Sequence, residues 1–208
     1  MTKKIKSIFF DFAGVISKES HLAEGYLYPN LKNFLSFEQV NTKYKLARLG
    51  KINFNEMIKG APKELWLKHL RKAKANYYAE KTFINLHKKY KLFVASNHVP
   101  ILFEKELNSF EIKKYFEKIF VSYKLKINKP HKKFYELILK KSNSKPTESV
   151  FIDDAKINLV EPKKMGFVTI WFDIKKERTN KRNTIKFQPD YTIKSLKEIP
   201  KIIKEIEA

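Results

Sequence analysis

The sequence has no cysteine among its 208 residues. Disulfides, thiolate metal sites and cysteine nucleophiles are excluded together, and a reducing, cytoplasmic setting fits. No run of about eighteen apolar residues occurs, so no transmembrane helix is expected. The basic, then apolar, amino terminus imitates a secretory signal. Asp11 interrupts it and no small-residue cleavage site follows, so that assignment fails. Internal repeats and low-complexity linkers are absent. Arginine is scarce: Arg48, Arg71, Arg178 and Arg182 are the only four among 44 basic residues.

That scarcity qualifies the most conspicuous property of the chain, a formal net charge of +22. A basic protein attracts polyanions, nucleic acid first among them. Bidentate recognition of phosphates and bases favours arginine, however. The lysines are spread along the whole chain rather than gathered in one block. A solvated lysine-rich surface accounts for that distribution, so neither nucleic acid nor a membrane is the expected partner.

What is present suits a packed core: 43% of residues are hydrophobic and 14% aromatic. This length fits one sizeable domain, or a core with a modest insertion. Apolar runs of strand length occur at Lys6–Phe10, Lys91–Ala95, Ile119–Val121, Val150–Ile152 and Phe167–Phe172. Helical spacing fills the intervals, so the chain is α/β with a mainly parallel sheet flanked by helices. From Ser17 to Asn85 the pattern is helical with no strong strand. Ser36 followed by Gln39 predicts a capping box there. A helix over Ile157–Met165 should stop at Gly166, and a terminal amphipathic helix should run from Ile193 to Ile206. Lys175–Gln188 reads as a polar loop.

Three of these strands end in polar groups: Asp11, Ser96-Asn97 and Asp153-Asp154. A fourth polar group, Lys129, opens a helix between the second and third of these sites. Taken alone, Asp11 fits either a turn cap before Gly14 or a functional carboxylate at the sheet edge. Parallel strands would gather all of these groups on one edge. Carboxylates converging from distant positions suit Mg²⁺, a hard cation that takes oxygen ligands and a substrate phosphate. A hydroxyl, an amide and an ammonium could hold the remaining phosphate oxygens. A carboxylate can itself attack phosphorus. These are parts for metal-assisted phosphoryl transfer.

In order and spacing the chain resembles the haloacid dehalogenase (HAD) superfamily, most of whose members are phosphatases. Phe9-Phe10-Asp11-Phe12-Ala13-Gly14-Val15-Ile16 resembles its first motif, Ser96-Asn97 the second and Lys129-Pro130 the third. Phe151-Ile152-Asp153-Asp154, with Asn158 and Gly166, resembles the fourth. The resemblance implies a Rossmann-like core over 1–16 and 86–208, with a small helical cap over 17–85 inserted after the first strand. It implies Asp11 as nucleophile and metal ligand, with the backbone carbonyl of Ala13 as a further ligand. Asp154 would contact Mg²⁺ most directly, and Asp153 would bind metal or orient Lys129. Ser96, Asn97 and Lys129 would hold the phosphate of a small phosphorylated substrate. Asn158 would act on the metal indirectly, and the cap would close over the site and choose the substrate.

The resemblance has one departure. Most phosphatases of the superfamily carry a second aspartate two residues after the nucleophile, as general acid and base; here that residue is Ala13. Such a group contributes about 10²–10⁴-fold in rate. His98, Glu19 and His21 are candidate substitutes, each also suited to surface or packing roles. The leading expectation is a Mg²⁺-dependent phosphatase. The alternatives are a degenerate member that binds metal or phosphate with little turnover, and a 2-haloacid dehalogenase, which would need no metal.

Overall fold

The computed structural model describes residues 4–19, 22–71, 73–174 and 181–208. The chain enters through β1 (Ser7–Phe10) and then crosses a helical segment. That segment holds a π-helical turn (Leu22–Leu27), α1 (Tyr28–Leu31), α2 (Phe37–Arg48), α3 (Phe54–Ile58) and α4 (Lys63–Leu67). Next come α5 (Ala79–Leu86), β2 (Lys91–Ser96), α6 (Leu102–Ser109), β3 (Lys118–Val121), α7 (Ser122–Leu125) and α8 (Lys132–Ser142). The chain ends with β4 (Ser149–Asp153), α9 (Val160–Met165), β5 (Val168–Phe172), β6 (Tyr191–Ile193) and α10 (Ile199–Glu207).

All strand pairings are parallel, in the order β3-β2-β1-β4-β5-β6. Helices cover both faces, which is why these strands read as unbroken apolar runs rather than alternating ones. Ile8, Phe10, Val94, Ile152 and Ile170 face α5, α6 and α10. Phe9, Phe93, Ala95 and Phe151 face α8 and α9 on the other side. Phe9 stacks on Phe93 with centroids 4.8 Å apart. Each such side chain contributes about 1.5–3 kcal/mol by burial. The strand order reverses between β1 and β4, and open α/β sheets bind ligands at the carboxyl ends of strands at such a point.

The sequence and the structure differ at two elements. Ile193, expected to begin a terminal helix, belongs instead to β6, which pairs with Ile170–Phe172. The helix starts only after a capping box between Ser195 and Glu198. A three-residue strand has too little pattern to register by periodicity. The second difference concerns α5, which lies inside the stretch expected as a cap. Its Ala79, Phe83 and Leu86 pack with Ile8 and Phe10 beneath the sheet.

The helices before α5 have a core of their own, built from Leu27, Leu31, Val40, Met57 and Trp66 and closed by Val99 and Leu102. The Ser36–Gln39 capping box forms as expected, and a second one joins Asn53 and Glu56. The two chain crossings into and out of this layer lie side by side: Ser17 bridges Ala75. Asn76 ties the crossings to the loop after β1, its side-chain amide donating to Val15 O (2.8 Å) and Gly14 O (3.2 Å).

Candidate active site

β1 and β4 are neighbours, with Phe10 level with Ile152, so Asp11 and Asp153 emerge side by side at the switch point. Asp11 N donates to Ile152 O at 2.9 Å and continues the ladder by one residue. The Asp11 side chain then turns back to accept from Phe12 N at 2.6 Å. One ligand oxygen from each of Asp11, Asp153 and Asp154 falls within 4.8 Å of the others, and all three residues are buried.

Lys129 is the counter-charge. Its Nζ donates to Asp153 Oδ2 at 2.6 Å and lies 3.0 Å from Asp11 Oδ1, with its side chain fully buried. Asn97 holds it there: the amide nitrogen donates to Lys129 O at 3.0 Å, and the amide oxygen accepts from Lys129 N at 2.9 Å. Asp153 Oδ1 also accepts from Ala155 N (2.8 Å) and from the Asn158 amide (3.0 Å). Tyr135 fixes Asn158 through its hydroxyl, which donates to Asn158 O at 2.7 Å. Asp153 is thus the most fully satisfied of the three carboxylates.

Asp154 is the opposite case. Among the described residues its Oδ2 is buried without a hydrogen-bond partner, and the Arg182 guanidinium stands 3.8 Å away as an ion-pair partner. A buried acceptor left in this state is costly. The backbone around it is nevertheless held firmly, with Trp171 Nε1 donating to Asp154 O at 3.0 Å. Gly14 makes room for the carboxylate: at its φ of +85°, a Cβ would lie 2.6 Å from Asp154 Oδ2. Any side chain at position 14 would displace Asp154.

Electrostatics follow from burial. Loss of solvation pushes the Asp11 carboxyl up to about 6, against the pull of Lys129. Burial and the neighbouring Asp153 push Asp154 well above the usual carboxylate range. Burial lowers the Lys129 ammonium, but Asp11 and Asp153 outweigh it and hold the group above its ordinary value. Three buried carboxylates around one ammonium, with one oxygen accepting no hydrogen bond among the described residues, form a donor set that suits a hard cation.

Ser96, at the end of β2, is fully buried and its hydroxyl has no partner among the described residues. A cavity of about 280 Å³ opens above the carboxylates, with Asp11, Ala13, Asn97, Asp154 and Asn158 on its floor. The wall is one face of α2, on which Phe37, Asn41, Tyr44, Lys45 and Arg48 recur at helical spacing.

Of the expected site residues, Asp11, Ser96, Asn97, Lys129, Asp153, Asp154 and Asn158 converge, and Ala13 lines the cavity. Asn97 spends its amide first on bracing Lys129. His98 does not reach the cavity. It is buried behind Phe12, edge to face at 5.8 Å, and its Nδ1 accepts from Val99 N. Glu19 is engaged by the Ser17 hydroxyl and is not part of the cavity lining. His21 lies outside the described residues. Sequence reasoning missed Tyr44, Arg48, Tyr135, Trp171 and Arg182. Only the helical spacing along α2 carried a signal, and it could not say which face met the site.

Among characterised proteins, a D-ribitol-5-phosphate phosphatase of Bacteroides thetaiotaomicron is 25% identical over 187 residues, covering 79% of this chain and 90% of that one. A HAD family enzyme of the same organism, solved with magnesium and inorganic phosphate, superposes with a TM-score of 0.69 at 21% identity, over 81% of this chain and 94% of that one. L-2-haloacid dehalogenase from Xanthobacter autotrophicus, with chloropropionic acid covalently bound, gives a TM-score of 0.69 at 14% identity, over 96% and 98%. Likeness at this level of identity shows a shared fold. A model of the haloacid dehalogenase-like hydrolases matches residues 8–172, which span the strand-end carboxylates, Lys129 and the helical layer over the cavity; the chain belongs to that family.

Proposed function

We propose that the protein is a Mg²⁺-dependent phosphatase that hydrolyses a small phosphorylated metabolite through an aspartyl-phosphate on Asp11. The observation that carries this is the buried carboxylate triad, in which Asp154 Oδ2 accepts no hydrogen bond among the described residues and has the Arg182 guanidinium only at 3.8 Å. Such a group calls for a cation, whereas dehalogenation of 2-haloacids needs none. The phosphatase relative and the magnesium- and phosphate-bound neighbour support the same chemistry.

In this mechanism Asp11, Asp154 and the Ala13 carbonyl would hold Mg²⁺, and Asp153 and Asn158 would support them. When bound, the ion would supply charge neutralisation on the phosphoryl oxygens. Lys129, the Ser96 hydroxyl and the remaining Asn97 amide hydrogen orient the phosphoryl group. The Asp11 carboxylate attacks phosphorus, and the bond from phosphorus to the leaving oxygen breaks. With Ala13 in place of a general acid, solvent protonates that oxygen. Water then cleaves the aspartyl-phosphate, releasing phosphate and restoring the carboxylate. The helices between β1 and α5 act as the cap that shields these steps and selects the substrate.

Hydrolysis of an aryl phosphate, with Mg²⁺ and with chelator, tests this for wild type and Asp11→Asn. Phosphate release that requires the metal and falls more than about a thousandfold in Asp11→Asn is expected. Release no greater than that of Asp11→Asn would overturn turnover and leave a metal- or phosphate-binding protein. Chelator-resistant halide release from a 2-haloacid would establish the dehalogenase instead.

A further inference from the structure

Above the floor carboxylates the cavity is lined by three cationic side chains, Lys45, Arg48 and Arg182, against one carboxylate, Glu24. Lys129 is committed to Asp11 and Asp153 on the floor. Opposite it, α2 presents Lys45 and Arg48 on the face that lines the cavity. Arg48 is half-buried, its guanidinium lies over the Tyr44 ring at 5.8 Å, and its Nε is buried with no hydrogen-bond partner among the described residues. A guanidinium with a desolvated, unmatched N–H is costly unless a ligand completes it.

The backbone beneath Arg48 is fixed from the core side. The Ser122 hydroxyl donates to Arg48 O at 2.7 Å, and Lys126 Nζ donates to Gly50 O at 2.6 Å. The end of α2 is therefore tied to α7 and the residue that caps it, and the guanidinium is carried on a braced element. A braced, planar donor fork is suited to a carboxylate or a phosphate, which it can engage bidentately. A neutral polyol chain would leave that charge unmatched.

We infer that the phosphorylated substrate bears a second anionic group, a carboxylate or a second phosphate, on its leaving portion, and that Arg48 recognises it with Lys45 alongside. This rests on the phosphatase proposal for the reacting end of the substrate and adds the specificity of the far end. Arg48 is here a specificity-determining residue, not a participant in bond breaking.

A matched pair tests it: 4-carboxyphenyl phosphate and its neutral methyl ester, compared by kcat/KM at saturating Mg²⁺. Charge-assisted, bidentate recognition predicts about a 10–100-fold preference for the acid. Arg48→Met should bring that ratio close to one, and Arg48→Lys should restore part of it, with most of the change in KM. A phenyl bisphosphate in the same series separates a preference for a second phosphate from one for a carboxylate. Equal rates for acid and ester in wild type, or a ratio unmoved in Arg48→Met, would overturn the inference while leaving the phosphatase intact. Should no ester be hydrolysed, calorimetry with Mg²⁺ and the same compounds still decides. Tighter binding of the acid in wild type, lost in Arg48→Met, supports the second anionic group, and equal binding refutes it.

Discussion

The floor and the wall of the cavity are built on opposite terms. On the floor, Lys129, Asp11 and Asp153 are buried and joined by contacts of 2.6 and 3.0 Å. On the wall, Lys45 is exposed, Arg48 is half-buried, and the charges make few fixed contacts. Interlocked buried charges set geometry, because moving one leaves the others unpaired in a low-dielectric interior. Half-exposed charges are screened and set only what is attracted to them. The proposed chemistry therefore resides where substitution is costly, and the proposed selectivity where substitution is cheap.

The most damaging single change to that contrast is Lys129→Met. It strands two buried carboxylates, and loss of one partner from a buried ion pair costs about 3–5 kcal/mol. Urea denaturation in chelator should show a loss of that size. A loss below about 1 kcal/mol would mean that the floor is as loosely coupled as the wall.

Next in size is Asp154→Asn, where the sign reverses. The Asp154 carboxyl is held above its unfolded value, so its contribution to stability is full at low pH and is lost as pH rises through the folded value. Asp11, pushed up to about 6, acts in the same direction. In chelator, Asp154→Asn should therefore be more stable than wild type at neutral pH, by on the order of 1 kcal/mol or about 2–4 °C. The gap should close as pH falls toward 4. With Mg²⁺ the order inverts, because the wild type gains binding energy that the variant cannot. Melting curves across pH, with and without the metal, check both halves. A variant less stable than wild type in chelator at neutral pH would refute the account of Asp154.

The floor was also the part legible in sequence. Each of its groups follows or ends an apolar strand, or lies in the turn just before a helix, as Lys129 does before α8, and a parallel sheet brings strand ends together whatever the side-chain details. Asp11, Ser96, Lys129, Asp153 and Asp154 could thus be chosen from one dimension. The wall could not, because the facing side of α2 is decided by tertiary packing of Val40, Tyr44 and Ala47 against the rest of the helical layer. The supports of the floor were equally hidden. Trp171 and Tyr135 read as ordinary core aromatics, and only the fold shows their polar ends reaching Asp154 O and Asn158 O. β6 escaped because its three residues answer to β5 rather than to any pattern of their own.

The smallest expected effect bears on the wall. Lys45 projects from α2 at the cavity edge, exposed, and solvent already satisfies its ammonium. Lys45→Ala removes charge without opening a void, and alanine suits a helix interior better than lysine does. Its unfolding free energy should stay within about 0.5 kcal/mol of wild type, read from the same urea curves as Lys129→Met. If the variant instead lost 2 kcal/mol or more, on the order of a buried hydrogen-bonded charge, Lys45 would be holding the helical layer together. The wall would then share the rigidity of the floor, and a freely variable selectivity surface could not be located there.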